Sequence, residues 1–531
     1  MTAPWSAACA AEIGADWLEQ EIAPAGDFGR RAREREHVFV LGDEAQAREA
    51  IARVYAAAED VPPETLAQLC EAVLACPDPG MALARVLGDA TLTDADLFEL
   101  SRFVDGLERV RNLMTNAALA GIAMPPWPQA LALTLRDGRT PQRGFYLSDA
   151  FDPELSAARA AAVALHARFD AERTRLRERI AVYAGLEDVR DGEFVLMRER
   201  APAPLPAEIR VLREAPTYWL CEVALDEPAR TVFTLLNAAE QRVAEREEAV
   251  RARLSAAVRA VAPILEDAAE KLGAVDAFVA RVRFAQRYRT CAPEVAEVPC
   301  VQFVDARFLP LERSLESRGH RYAPLSLTLD SVGVLTGPNM GGKTAALRTV
   351  GFVACCVALG VPVPAASARV SLFDDYAWIG IGTEAERTAL LSSFGLEVTQ
   401  LRDVLSRAPE RALVLVDEFA RTTSPREGRA LLVALVEWLR ATGVIALVAT
   451  HFSRIAEDAG APHFAVVGLR EPPRRSTEAV DLDAAIERIA EVMDYRVHRV
   501  AADEPLHADA LALAEVLGLD PALIARARAV L

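Results

Sequence analysis

The stretch Val332-Gly333-Val334-Leu335-Thr336-Gly337-Pro338-Asn339-Met340-Gly341-Gly342-Lys343-Thr344 decides how the rest of the chain is read. Its first five residues predict a short buried strand. They run straight into the pattern G-x-x-x-x-G-K-[ST], followed by a helix-forming run from Ala345 to Leu359. Phosphate binding demands that order, because glycines let backbone N–H groups turn inward and a helix N-terminus adds its positive end. Lys343 is placed to reach the β- and γ-phosphates, and Thr344 to hold Mg²⁺. Gly337, Pro338, Asn339, Met340, Gly341, Gly342, Lys343 and Thr344 are therefore the candidate ATP-binding loop.

Two further apolar strands downstream end in polar tips. Ala412-Leu413-Val414-Leu415-Val416 delivers Asp417-Glu418, with Asp417 the candidate for the Mg²⁺ shell and Glu418 for polarising the attacking water. Val444 to Ala449 delivers Thr450-His451, and His451 falls where a γ-phosphate sensor would sit. Three such tips from one sheet predict an ATPase that uses ATP and Mg²⁺. From about residue 296 onward apolar strands alternate with helices, the α/β pattern.

Upstream the signal is helical. Residues 1–130 are Ala/Leu/Glu/Arg-rich stretches punctuated by prolines, and an extended piece is expected over Leu131–Leu135 and Gly144–Leu147. A long helix opens at Asp152-Pro153-Glu154, with Leu155, Ala158, Ala162, Leu165, Phe169, Leu176 and Ile180 at helical spacing. Residues 186–230 alternate apolar and charged positions and predict a small β-rich insertion. A second long helix is expected from near Thr231. The fold class is thus α plus α/β. The expected divisions are a helical region over 1–130, a long-helix lever and clamp arm over 131–295 with its β-rich tip near 186–230, a P-loop ATPase domain over 296–480, and a helical dimerisation segment over 481–531.

Composition excludes several classes. The 531 residues are 52% hydrophobic and 26% charged, with 28 Gly and 31 Pro, which fits neither a collagen nor a disordered chain. The net charge is −18 and the only lysines are Lys271 and Lys343, so a general affinity for polyanions is not expected. None of the eight cysteines forms a C-x-x-C pair, Cys355-Cys356 are expected to pack in the P-loop helix, and the histidines show no metal-ligand spacing. The most apolar run, Val350 to Val363, is too short to cross a bilayer. The first residues lack a basic stretch followed by an apolar core, so a cytoplasmic protein is expected. Phe373, Tyr376 and Trp378 read equally as adenine neighbours or as core.

Taken together, these residues resemble the MutS family of ABC-type ATPases. Thr336 to Thr344 is similar to that family's P-loop down to Pro-Asn-Met, Ser371–Gly382 to its segment after the P-loop helix, and Ser392-Ser393-Phe394 with Glu397 to its Ser-Thr-Phe…Glu motif. Ala449-Thr450-His451-Phe452 is similar to its histidine switch, and Leu511–Leu531 to its closing helices. The resemblance implies a homodimer, or a pair with a related subunit, through the ATPase domains, in which Ser392 reaches the nucleotide held by the partner's P-loop. ATP state would then open or close a clamp.

Three departures narrow the resemblance. The 336 residues before Gly337 are too few for mismatch-reading and connector domains, and no nuclease-like domain is expected after the closing helices. Ala420 and Thr422 stand where the DNA-repair members usually carry glycine. The segment 186–230 holds ten acidic residues, six arginines and no lysine, the wrong balance for gripping a phosphate backbone. In these respects, and in Met493-Asp494-Tyr495, the chain is similar to the branch associated with cobalamin-dependent lysine and ornithine aminomutases. That resemblance implies a protein client whose damaged cofactor is expelled. The alternative is a binder of mismatched or branched DNA in repair or recombination. A transporter subunit is disfavoured because its Leu-Ser-Gly-Gly-Gln signature is missing.

Overall fold

The apolar periodicity over 153–184 and 227–260 produces two long helices, each started by a capping aspartate. Asp152 accepts a hydrogen bond from the Glu154 N–H at 2.9 Å and Asp226 from the Ala229 N–H at 3.1 Å, with a proline in each first turn. The second helix therefore begins at Glu227, four residues before the expected Thr231. The computed structural model describes residues 3–115, 119, 121–138, 146–187, 189, 193–201, 204–338, 341–380, 393–407, 411–469, 493–501, 510–516 and 519–530. It divides into two units, one of Ala75–Val110 with Pro125–Ala269, the other of Met1–Leu74, Arg111–Met124 and Glu270–Leu531.

In the first of these units the helices Pro153–Ala184 and Glu227–Ala260 flank three short strands, β1 (Glu193–Met197), β2 (Ile209–Glu214) and β3 (Tyr218–Val223). They form an antiparallel sheet in the order β1-β3-β2. Alternation sends Phe194, Leu196, Ile209 and Cys221 onto Leu176, Ile180, Ala181 and Ala184 of the first helix. Elsewhere in this unit one expectation fails. Leu131–Leu135 lies within a helix, Gln129–Arg136, because Leu131, Ala132 and Leu135 share one buried helical face. Of the companion piece Gly144–Leu147, residues 144 and 145 lie outside the described residues.

The larger unit holds two sheets. β4 (Glu294–Ala296), β5 (Val301–Ala306), β6 (Leu325–Leu329) and β8 (Ser367–Ser371) form one, in the order β4-β8-β5-β6. The other is built from β7 (Val332–Thr336), β9 (Asp375–Ile379), β10 (Ala412–Asp417), β11 (Ile445–Ala449), β12 (His463–Leu469) and β13 (Met493–Arg499), in the order β13-β12-β7-β11-β10-β9. All its pairings are parallel except β12 with β13. β7 and β11 are buried along their whole length, as a parallel sheet covered on both faces requires. The helix Lys343–Ala358 covers one face and the helix Pro425–Thr442 the other. β13 falls inside the segment 481–531 that was expected to be helical, so the sheet extends past the expected boundary at 480.

Residues 1–74 belong to this larger unit and 75–110 to the other, so the expected helical region over 1–130 is shared between the two. Trp5 bridges Tyr376 on the edge strand β9, the Tyr376 N–H donates to the Pro4 carbonyl at 2.8 Å, and the two rings meet edge to face at 5.2 Å. The first helix, Ala7–Ile13, then lies on the helix Lys343–Ala358. It comes so close that a Cβ on Gly351 would stand 2.4 Å from Ile13 Cγ2. Phe373 and Tyr376 are buried in the core beneath it and Trp378 packs against that core, which resolves their two readings in favour of packing. Cys355 and Cys356 are fully buried there too, and burial pushes both thiols up, leaving them inert packing groups.

Asp276, only 2% exposed, anchors the start of the helix Asp27–Arg35 by accepting N–H bonds from Gly26 at 2.8 Å and Ala25 at 3.2 Å. Asp276→Ala leaves both N–H groups without that partner and is expected to cost about 1–3 kcal/mol in denaturant unfolding. Burial pushes the Asp276 carboxyl above the usual carboxylate range. Its folded form therefore holds the proton more tightly than the unfolded chain. The resulting stabilisation is complete below about pH 4 and is lost as pH rises through the folded value, a slope that Asp276→Asn should flatten.

Candidate nucleotide site

The parallel register lines up the ends of three strands. Asp417 pairs with Ala449, and Ala449 with Leu335, so the loop after β7, the Asp417-Glu418 tip and Thr450-His451 leave the sheet at one end. Ligand sites of open α/β sheets lie at this carboxyl end. Beyond β7 the backbone turns into the helix Lys343–Ala358 through Gly342, whose φ of +89° is a glycine conformation. A Cβ there would also crowd the Tyr495 ring, at 3.1 Å, so the ring would have to give way.

Lys343 is 5% exposed, and its Nζ donates to the carbonyls of Gly337 at 3.0 Å and Pro338 at 3.1 Å. It also lies 3.5 Å from Glu418 Oε1. Thr344 Oγ1 donates to Asp417 Oδ2 at 2.8 Å. The other oxygen, Asp417 Oδ1, is buried with no hydrogen-bond partner. Burial is the main force pushing the Asp417 carboxyl above its usual range, with the charge of Glu418 adding to it. The Thr344 hydroxyl, Arg348 and Lys343 pull the other way. A hydroxyl and an orphaned carboxylate oxygen side by side form a hard oxygen donor pair, which suits Mg²⁺. Thr344 and Asp417 are the residues that would hold it.

Glu418 has a φ of +50°, unusual for a residue with a Cβ, and its N–H donates to Ala449 O at 3.0 Å. The strained turn sets its carboxylate between Lys343 and Arg421, whose Nη1 donates to Glu418 Oε2 at 3.1 Å. Ala420 also has a positive φ, +61°. Here alanine keeps the turn that glycine takes more cheaply, at a cost of about 1–2 kcal/mol. Glu397, 1% exposed, braces it by accepting the Ala420 N–H at 2.8 Å.

These groups face a cavity of about 750 Å³ whose wall includes Lys343, Thr344, Arg348, Asp417, Glu418 and Arg421. Pro338, Gly341, Gly342 and Ala345 complete its lining. His451 is not part of that wall. It is exposed beyond the end of β11 with its ring against Phe452, while Thr450 before it is buried and donates its N–H to Leu335 O at 3.0 Å. Asn339, Met340 and Ser392 lie outside the described residues. A larger cavity, about 900 Å³, opens at the opposite end of the strands around Val332, Ile445 and His463 and holds none of the expected site residues.

Sequence reasoning passed over Arg348 and Arg421. The signal for Arg348 was spacing, since four residues after Thr344 on one helix is the same face. Nothing local marks Glu12, whose carboxylate holds the Arg348 guanidinium at 2.6 Å.

Residues 333–530 match the family model described as MutS domain V. The chain is similar to Endonuclease MutS2 of Carboxydothermus hydrogenoformans, at 32% identity over 268 residues that cover 49% of this chain and 31% of the relative. It is similar to the DNA mismatch repair protein MutS of Lactobacillus delbrueckii subsp. bulgaricus, at 31% identity over 42% of this chain and 26% of the relative. A third relative, Endonuclease MutS2 of Gemmatimonas aurantiaca, is 34% identical over 41% of this chain and 26% of its own length. The matched stretch thus spans less than a third of each of these relatives. The stretch that matches MutS domain V thus contains the site described above, and among the described residues no helix is long and apolar enough to cross a membrane.

Proposed function

We propose that this protein is a MutS-type ATPase in which ATP binding and hydrolysis, at sites completed by a second subunit, drive a clamp-like change that grips or releases mismatched or branched DNA in the cytoplasm. The observation that carries the ATPase reading is the convergence of Lys343, the Thr344–Asp417 pair and Glu418 on one cavity at the carboxyl end of the sheet. The DNA reading rests on the relatives' names, DNA mismatch repair protein and endonuclease.

The residues divide the work by chemistry. Lys343 gives up two carbonyl bonds to meet the incoming phosphates, and the loop N–H groups and helix N-terminus share their charge. Bound Mg²⁺ would neutralise developing charge on the phosphoryl oxygens, held by Thr344 and Asp417. Glu418 orients the attacking water once Arg421 and Lys343 turn from its carboxylate to the phosphates. His451, outside the cavity wall, and Ser392 join only in the assembled dimer in this reading.

A second reading, ATP-driven remodelling of a protein such as a cobalamin-dependent aminomutase, is favoured by the three-stranded sheet. The segment 186–230 carries a net charge of −4, while Val195, Met197 and Tyr218 are exposed on one face of the sheet. A phosphate-gripping surface would reverse that balance. ATP hydrolysis measured at 0.1 M salt with mismatched duplex, four-way DNA or an inactivated aminomutase separates the two. Several-fold stimulation by DNA that fades steeply with salt supports the first reading. Stimulation by the aminomutase alone overturns it in favour of the second.

A further inference from the structure

The N-terminal helix touches the nucleotide cavity through one ion pair. Glu12, 8% exposed, accepts from Arg348 Nη2 at 2.6 Å and from Nε at 3.2 Å, across 336 residues of sequence. The helix is seated by Ile13 against Gly351, with Trp5 and Pro4 fastened to Tyr376. Arg348 in turn shares the cavity wall with Asp417. That carboxylate keeps Oδ1 buried and without a partner. A guanidinium released from Glu12 would have this oxygen as an unclaimed acceptor, and arginine–carboxylate pairs are among the strongest hydrogen-bonded pairs in proteins.

We propose that Glu12 is a positioning residue of the nucleotide site: by holding Arg348 to the cavity wall it keeps Asp417 Oδ1 open for a divalent cation. The N-terminal helix is then part of the ATPase machinery and not a covering of it. Whatever shifts the helix Ala7–Ile13 changes the cation requirement of the site. The inference rests on the reading of Asp417 as a Mg²⁺ holder.

The test reads binding rather than turnover. A fluorescent ATP analogue is titrated into the full chain at increasing Mg²⁺, and once in EDTA, for the wild type, Glu12→Gln, Arg348→Gln and the double variant. Glu12→Gln keeps the size of the side chain and loses its charge. It should raise the Mg²⁺ needed for half-maximal binding by about tenfold, the scale of one charge-assisted hydrogen bond, with binding in EDTA unchanged. The double variant should return to within about twofold of wild type, because the competitor is gone. An unchanged Mg²⁺ requirement in Glu12→Gln overturns the proposal, as does a double variant no better than the single. If Glu12→Gln does not fold, Arg348→Gln alone decides, since a raised requirement there contradicts a competitor role. Wild-type binding that ignores both Mg²⁺ and Asp417→Asn would overturn the underlying reading of the site itself.

Discussion

Glu418→Gln is expected to lower ATP turnover by at least about a hundredfold while nucleotide affinity changes by no more than a few-fold. The glutamine is isosteric, so the positive-φ turn and the backbone bond to Ala449 O are retained. Only the negative charge between Lys343 and Arg421 is lost, and with it the ability to polarise a water molecule. Losing it also frees both cations, so binding should tighten slightly rather than weaken. Single-turnover hydrolysis beside equilibrium nucleotide binding separates the two effects. A variant that still hydrolyses at a tenth of the wild-type rate or faster would remove Glu418 from the chemistry.

Lys343→Ala should fail one step earlier, with nucleotide affinity reduced by about a hundredfold and turnover lost with it. The ammonium is the buried cation that binds both Gly337 O and Pro338 O and pairs with Glu418. Its removal strips the loop of its donor and leaves a half-buried glutamate facing the phosphates without that counter-charge. The pair of variants therefore makes a contrast: Glu418→Gln traps nucleotide and Lys343→Ala does not take it up. Equal affinities in the two would show that Lys343 does not meet the phosphates.

Much of this site was legible from the chain alone because its parts are local. A strand, a glycine loop and a helix within about thirty residues dictate the P-loop, and a strand of five apolar residues places Asp417-Glu418 at its end. The long helices were legible for the same reason, since a 3.6-residue repeat needs no distant partner, although the Asp226 cap that starts the second of them four residues early was missed. Where expectation and structure part, a non-local contact decides. Met493–Arg499 is a strand because the edge of β12 accepts it in antiparallel register. Leu131–Leu135 is helical because one face of it is buried. Ala420 takes a backbone turn suited to glycine because the loop is braced by Glu397.

The sequence by itself thus determined the glycine loop, the acidic pair and the alternation that makes the parallel sheet, all of them patterns written within a few turns of backbone. Tertiary structure alone decided that residues 1–74 join the unit that holds that sheet, that His451 stands outside the cavity wall, and that Glu12 holds Arg348. The physical reason is range. Periodicity and turn chemistry act between neighbours, whereas burial and ion pairing join whatever the folded chain brings together, here across 336 residues that carry no mark of each other.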